Sequence, residues 1–501
     1  LDTIFQNLAL GFQQAFTLEN IIWIFIGGLL GTIVGMLPGI GPSSGIAILI
    51  PIIYGMNPTT ALITMTAVYY GAMFGGSRAS ILINTPGDSS SIVTCFDGYP
   101  MTKNGQAGKA LAITAIASFI GAIMGIIMII FLTQPVASAA LKFGPAERFS
   151  LMLFALTAAV VLSEGNILKG FFSMAIGFML STVGMDPQTG AFRYTFGIIE
   201  LHDGIDFLVA MIGLFAVAEV FRNYKDIDLR FNFDSRTIGK VMITIEDFKK
   251  CFIPMLRNTP LGFVVGVLPG MGGAIATFMT YAMEKQLSRH PEKFGKGAIE
   301  GVAAPEASNN ASACGAMVPL LTLGIPGSPS TAVMLGALML LGVKPGPLLF
   351  QERPEIAWGL ISAMVLVAVV LLIINLPLVV PMVQLLKIPQ RLMLPLILGL
   401  GFMGAYFLNY SSFDFILLSL FGICGYFMSK LEIPIPPLVL ALILGSFTEQ
   451  SFRNAMVISN LDISIFFTRP ISLALIILAV ISVMYAVHRE IKIAQKRSRE
   501  F

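Results

Sequence analysis

The sequence predicts an all-α polytopic membrane protein built from two inverted-topology repeats, and three observations carry that reading. The 501 residues have a mean hydropathy of +0.84 and only 12% charged residues, and apolar runs near bilayer length recur, as at 107–132, 356–386 and 470–487. The same interruptions stand in both halves: Gly35-Met-Leu-Pro-Gly-Ile-Gly41 matches Gly266-Val-Leu-Pro-Gly-Met-Gly272, Asn84-Thr-Pro-Gly87 matches Gly324-Ile-Pro-Gly327, and Phe221-Arg-Asn223 matches Phe452-Arg-Asn454. The outer pairs are offset by 231 residues and the middle pair by 240. Finally, the basic residues segregate strongly between alternate loops, as set out below.

Taken in order, residues 1–19 place Phe5, Leu8, Phe12 and Phe16 among Gln and Asn at helical spacing, which predicts an interfacial helix. They lack a basic n-region, so a cleavable signal is not expected there. Repeat 1 covers 21–223. Its apolar runs 21–37 and 43–55 flank Leu37-Pro-Gly-Ile-Gly-Pro42, and each arm is short for a span, which predicts a re-entrant hairpin. Residues 58–83 and 89–100 read as one helix broken at Asn84–Gly87. Four spans follow at 107–132, 148–162, 167–184 and 205–220. A cytoplasmic loop covers 224–243. Repeat 2, 244–454, has an interfacial segment near 244–253, hairpin arms at 254–268 and 273–284, and a broken helix at 298–323 and 328–343. Its spans are 355–386, 392–408, 412–428 and 435–447. A final transmembrane helix, 470–487, precedes a basic cytoplasmic tail, 488–501. The hairpins and broken helices form a core (21–100 and 254–345). The long spans form a scaffold (107–220 and 355–447), an elevator-like layout.

One broken span plus four spans is an odd number, and a re-entrant hairpin leaves the parity unchanged. An odd repeat makes the second copy insert upside down. On that topology 22 of the 31 Lys and Arg fall on the side of loop 221–250 and the C-terminal tail, against 7 on the other. The C-terminus is therefore expected in the cytoplasm and the first helix outside.

Chemistry is expected at the breaks, because a break in the bilayer leaves backbone groups unsatisfied unless a cavity or ion uses them. Hydroxyl-rich helix starts follow them: Asp88-Ser-Ser-Ser91, Ser328-Pro-Ser-Thr331 and Pro42-Ser-Ser44. Free N–H groups, a positive dipole end and hydroxyls suit a carboxylate. Ser43, Ser44, Ser89, Ser90, Ser328 and Ser330 are thus expected to hold substrate. Asn84, Thr85, Asn309 and Asn310 offer side-chain oxygens to substrate or cation, and Gly39 and Gly270 offer carbonyls to a cation. Intramembrane charges are few. Arg78 either receives a substrate carboxylate or pairs with Asp88 or a helix-end carbonyl. Glu306, in the polar run Pro305–Ser312, either helps ligate a cation with Asn309 or serves as interhelical glue. Replacing Pro86 or Pro326 by Ala is expected to heal a broken helix.

Several classes lose support. The four cysteines and three histidines are scattered, without metal-ligand spacing or a disulfide framework. No Walker A, nucleophile elbow or His-Glu-x-x-His occurs, so neither an ATP-driven pump nor an enzyme is indicated, and no basic–aromatic patch suggests nucleic acid. A gradient-independent anion channel is the alternative, but polar residues cluster at the breaks rather than along a path.

The runs Gly35–Pro42, Tyr69-Tyr-Gly-Ala-Met-Phe-Gly-Gly-Ser77, Ile81-Leu-Ile-Asn-Thr-Pro-Gly87, Gly266–Gly272, Ala304-Pro-Glu-Ala-Ser-Asn-Asn310 and Leu323-Gly-Ile-Pro-Gly-Ser328 resemble the large membrane subunit of the tripartite tricarboxylate transporters, the TctA family. The resemblance covers nearly the whole chain. It implies a secondary transporter in a bacterial inner membrane that imports organic di- or tricarboxylates with a Na⁺ or H⁺ gradient. It also implies two partners, a small membrane subunit (TctB-like) and a periplasmic solute-binding protein (TctC-like).

Overall fold

Helix starts and stops are written in the caps. In the computed structural model, which describes residues 2–37, 41–162, 166–186, 188–224, 238–269, 272–384 and 390–497, the described chain is almost wholly helical. The first half contains α1 (Asp2–Ala15), α2 (Leu18–Met36), α3 (Pro42–Ile53), α4 (Pro58–Ile83), α5 (Ile92–Lys103), α6 (Ala107–Ala140), α7 (Pro145–Leu162) and α8 (Ile167–Ser181). A two-stranded hairpin, β1 (Gly184–Met185) with β2 (Phe192–Arg193), leads to α9 (Phe207–Met211) and α10 (Ala218–Asn223), joined by a π-helical turn, Ile212–Val217. The second half contains α11 (Ile245–Val267), α12 (Gly272–Leu287), α13 (Ile299–Leu323), α14 (Pro329–Leu340), α15 (Leu349–Glu352), α16 (Pro354–Asn375), α17 (Val379–Gln384), α18 (Gln390–Asn409), α19 (Phe413–Lys430), α20 (Ile435–Ile458), α21 (Ile465–Thr468) and α22 (Pro470–Arg497). Six of these helices are long and apolar enough to cross a membrane. The chain is a multi-pass membrane protein.

Glycine sets the closest helix pairs. A β-carbon at Gly31 would lie 2.3 Å from the Val68 carbonyl, and one at Gly35 would lie 2.1 Å from that of Ala72, so α2 and α4 pack backbone to backbone, in parallel. Gly262 and Gly266 of α11 meet Ser308 and Ser312 of α13 at the same 2.3 and 2.1 Å. These contacts are related by the sequence offsets of 231 and 240. After α2 the chain reverses, so that Gly45 packs on Val34. After α11 it reverses again, and Arg257 pairs with Glu284 of the returning α12 at 2.5 Å.

The breaks differ from a simple interruption. Asn84 ends α4 in the left-handed conformation (φ 55°), and Gly324 ends α13 likewise (φ 68°). Only glycine, and next to it asparagine, adopts this backbone at little cost. The chain then doubles back. Gly87 lies against Gly35 and Gly76, and Gly327 lies against Ala316. A 3₁₀ turn, Ser89–Ser91, opens α5, which runs beside the end of α4 rather than in line with it; Thr102 Oγ1 donates to the Ile81 carbonyl at 2.8 Å.

Three further boundaries differ from the expected ones. The interfacial segment near 244–253 and the arm at 254–268 are one helix, α11, started by a Thr244–Asp247 capping box and continuing through Pro254 and Pro260. The expected span 355–386 stops at Asn375, two residues before Pro377, whose ring disfavours helix in the residue before it. The expected span 205–220 contains the π turn.

Two long helices rich in small and polar residues lie innermost. α4 and α13 are buried along nearly their whole length, whereas apolar α19 and α22 expose many large side chains. Tyr70 reaches Cys314 at 2.8 Å and Ser77 reaches Glu306 at 2.7 Å, so α4 and α13 cross in opposite senses.

Candidate functional site

Four helix starts converge on one cavity of about 670 Å³. Pro42, Ser43 and Ser44 open α3; Asp88, Ser89 and Ser90 open the turn into α5; Gly272 and Gly273 open α12; Ser328, Pro329 and Ser330 open α14. Tyr69 and Met73 of α4 lie between them. The opposite wall comes from the π turn and α10, through Phe215, Glu219 and Arg222, and from the α19–α20 turn, through Glu432 to Pro436. Each helix start brings the positive end of a dipole to the cavity, an arrangement that favours an anion.

The caps at the two breaks are the same device. Asp88 accepts from the Ser91 N–H at 3.2 Å while Ser91 Oγ receives the Asp88 N–H at 3.3 Å. Ser328 accepts from the Thr331 N–H at 3.3 Å while Thr331 Oγ1 receives the Ser328 N–H at 2.8 Å. Positions 88 and 328, and 91 and 331, are each 240 apart. Ser90 Oγ donates to Asp88 Oδ2 at 2.7 Å, and Tyr69 reaches the Ser328 hydroxyl at 3.3 Å. Ser44 donates across to the Phe215 carbonyl of the π turn at 3.3 Å.

The cavity therefore collects all six serines expected to hold substrate: Ser43, Ser44, Ser89, Ser90, Ser328 and Ser330. It does not collect the others. Asn84 is exposed at the end of α4 as its C-cap, and Thr85 bonds back to the Ile83 carbonyl at 3.2 Å. Arg78 is fully buried and donates to the Phe74 carbonyl and, at 3.3 Å, to that of Asn375. Of its two expected partners other than substrate, the helix-end carbonyl is the one found, that of Asn375 at the end of α16. Glu306 sits away from the cavity, accepting from Ser77 at 2.7 Å, Thr94 at 2.5 Å and Ser118 at 3.3 Å. Gly39 and Gly270 lie outside the described residues.

Asn309 and Asn310 present a different case. Both are fully buried on α13. Neither heteroatom of the Asn309 amide has a partner, nor does Asn310 Oδ1 or Ser308 Oγ. Buried polar atoms without partners are costly and rare, so the wholly unpaired Asn309 amide points to a ligand. A β-carbon at Gly273 would lie 2.5 Å from Asn309 Oδ1 and 3.0 Å from Ser90 Cβ, so that amide abuts the start of α12 beside the first break.

Sequence reasoning missed Asp88 as a wall residue, and Tyr69, Phe215, Glu219, Arg222 and Glu432. Two signals were present: the 240-residue register that sets Asp88 opposite Ser328, and the repeated Phe-Arg-Asn motif that contains Arg222. The others come from distant segments and have no local signature.

The family model described as "Tripartite tricarboxylate transporter TctA family" matches residues 21–440. An "Uncharacterized 52.8 kDa protein in TAR-I ttuC' 3'region" of Agrobacterium vitis is 43% identical over 498 residues, covering 99% of both chains. An "Uncharacterized protein in TAR-II ttuC' 3'region" of the same organism is 41% identical over 240 residues, which is 48% of this chain and 98% of that one. No solved structure matches. With a transporter-family match across most of its length and a full-length relative, the chain belongs to the tripartite tricarboxylate transporter TctA family.

Proposed function

We propose that this chain is the translocating subunit of a secondary transporter that imports organic di- or tricarboxylates across a bacterial inner membrane. The convergence of four helix starts on one hydroxyl-lined cavity carries the reading. It supplies N–H donors, hydroxyls and positive dipole ends, a combination that binds carboxylates. Helix-end interactions with an anion are worth roughly 0.3–2 kcal/mol each, so several act together and no one serine is indispensable.

A cation gradient drives uptake, either Na⁺ or H⁺. The unpartnered oxygen of the buried Asn309 amide supports a cation site on α13, and such a neutral oxygen suits a metal ion better than a proton. Substrate arrives from a periplasmic binding protein, and a small membrane subunit packs on the exposed apolar scaffold. The two halves are inverted repeats with re-entrant hairpins. The equivalent glycine contacts, the matched capping boxes and the opposed crossing of α4 and α13 support this. The core, 21–100 with 254–345, moves as an elevator against the scaffold, 107–220 with 355–447; the site between the helix starts and the α10 and α19–α20 wall supports that division. Glu219, Arg222 and Glu432 stand at helix ends that the basic-residue bias assigns to the cytoplasm, which supports an inward-facing state.

Uptake of labelled citrate and succinate into proteoliposomes, with and without the binding protein and an imposed Na⁺ or H⁺ gradient, tests the reading. Accumulation that needs both is expected. Conductance independent of any gradient would replace the transporter with an anion channel.

A further inference from the structure

We propose that Asp88 makes substrate binding conditional on a monovalent cation, an inference that rests on the carboxylate-transport reading above. The two breaks share one capping box, but the cap is a carboxylate at Asp88 and a hydroxyl at Ser328. Asp88 lines the cavity. Its oxygens accept from Ser90 Oγ and the Ser91 N–H, and among the described residues no basic side chain forms an ion pair with it. The other titratable groups on the cavity wall are Tyr69 from α4, Glu219 and Arg222 from α10, and Glu432 from the α19–α20 turn; the starts of α3, α12 and α14 contribute none. Arg222 is bound to Glu219 at 2.5 Å. Fixed acids therefore outnumber bases around a cavity whose four helix starts attract an anion.

An anionic substrate drawn to those helix starts meets the Asp88 charge at one of them. Like charges repel, the more strongly the less water lies between them, and a cation on Asp88 removes the repulsion. A second observation places oxygen ligands beside it. The buried Asn309 amide has no partner, and it and Ser90, which donates to Asp88, both lie against Gly273 at the start of α12. One carboxylate with a hydroxyl and an amide oxygen suits a small monovalent metal ion; the carboxylate alone suits a proton. The neutral Ser328 end, braced by Tyr69, is left for the substrate carboxylate.

The test uses the full chain in proteoliposomes, with citrate and succinate as probes, and Asp88→Asn and Asp88→Ser, the latter copying the Ser328 cap. In the wild type, affinity is expected to rise at least about tenfold with Na⁺ at fixed pH if the ion is a metal, or with acidification in Na⁺-free buffer if it is a proton. In both variants affinity should change less than about twofold with either. Counterflow exchange should persist, and gradient-driven accumulation should be lost. Wild-type cation dependence in both variants would overturn the proposal. So would failure of both, monodisperse and correctly inserted, to bind carboxylate under any condition. A wild type that binds neither probe with any cation would instead overturn the transport reading itself.

Discussion

A single methyl group decides the closest contacts in this molecule. At Gly35 the space for a side chain is taken by the Ala72 carbonyl, and at Gly266 by that of Ser312. Neither obstacle is a flexible side-chain end, so the helices must separate to admit even Ala. Gly35→Val and Gly266→Val are each expected to destabilise by at least about 1–3 kcal/mol, the cost of overpacking a close-packed core. Thermal melting of detergent-purified protein measures this; an unchanged melting temperature would show that the helices do not pack this closely. Outside the membrane-spanning segments, Asp186 in the loop after α8 accepts the Gln188 N–H at 3.0 Å and pairs with Arg453 at 2.9 Å. The Gln188 hydrogen bond, then Arg453, hold its carboxyl well below the usual carboxylate range. A depressed pKa adds stability that is present above the unfolded value, near 3.9, and is lost as pH falls through the folded one. The loop at 182–206 should therefore stay protected in hydrogen exchange at neutral pH and loosen only under strong acid. In Arg453→Gln it should loosen at a higher pH, and equal acid profiles in the two proteins would exclude the role given to this pair.

At the scale of elements, the breaks are made by left-handed caps. Asn84 and Gly324 stop α4 and α13, and the chain folds back before Pro86 and Pro326 are placed. Replacing Pro326 by Ala therefore cannot join α13 to α14 in one straight helix, because the start of α14 is not in line with the end of α13. The sequence-based expectation of a healed helix does not survive this geometry. Gly324→Ala should be the more damaging change: a left-handed backbone costs a non-glycine residue about 1–2 kcal/mol, and the cap it disturbs positions Ser328. Substrate affinity in Gly324→Ala and Pro326→Ala is the comparison. A greater loss in the proline variant would return the break to the proline.

For the whole molecule, the expected topology puts loop 221–250 and the C-terminal tail in the cytoplasm and residues 1–19 outside. Cysteine labelling from each side should report this, and a tail reached only from the periplasm would invert the model. The elevator reading predicts that Ser44 and the Phe215 carbonyl, in contact here, separate during transport. A disulfide between Ser44→Cys and Phe215→Cys should arrest uptake, with recovery on reduction. Uptake at the wild-type rate with the cross-link intact would rule out relative movement at this contact.

The sequence by itself determined the membrane class, the repeated motifs, the positions of the breaks, the serines that meet in the cavity and the family. Those features are local: hydropathy, proline, glycine and hydroxyl residues act within a turn or two of where they stand. Tertiary structure alone decided which polar residues face the cavity. A doubling back of four residues after Ile83 takes Asn84 and Thr85 out of it and brings Asp88 in. The crossing of α4 and α13 encloses Glu306 among Ser77, Thr94 and Ser118, residues 188 to 229 positions away, and removes it from the site. The far wall, Phe215, Glu219, Arg222 and Glu432, comes from segments whose sequences read as ordinary spans and the turn between two of them. A lining position depends on the direction in which a helix is rotated and on what packs against it, and those are settled by backbone contacts such as Gly35 on Ala72, made between segments too far apart for any local pattern to record.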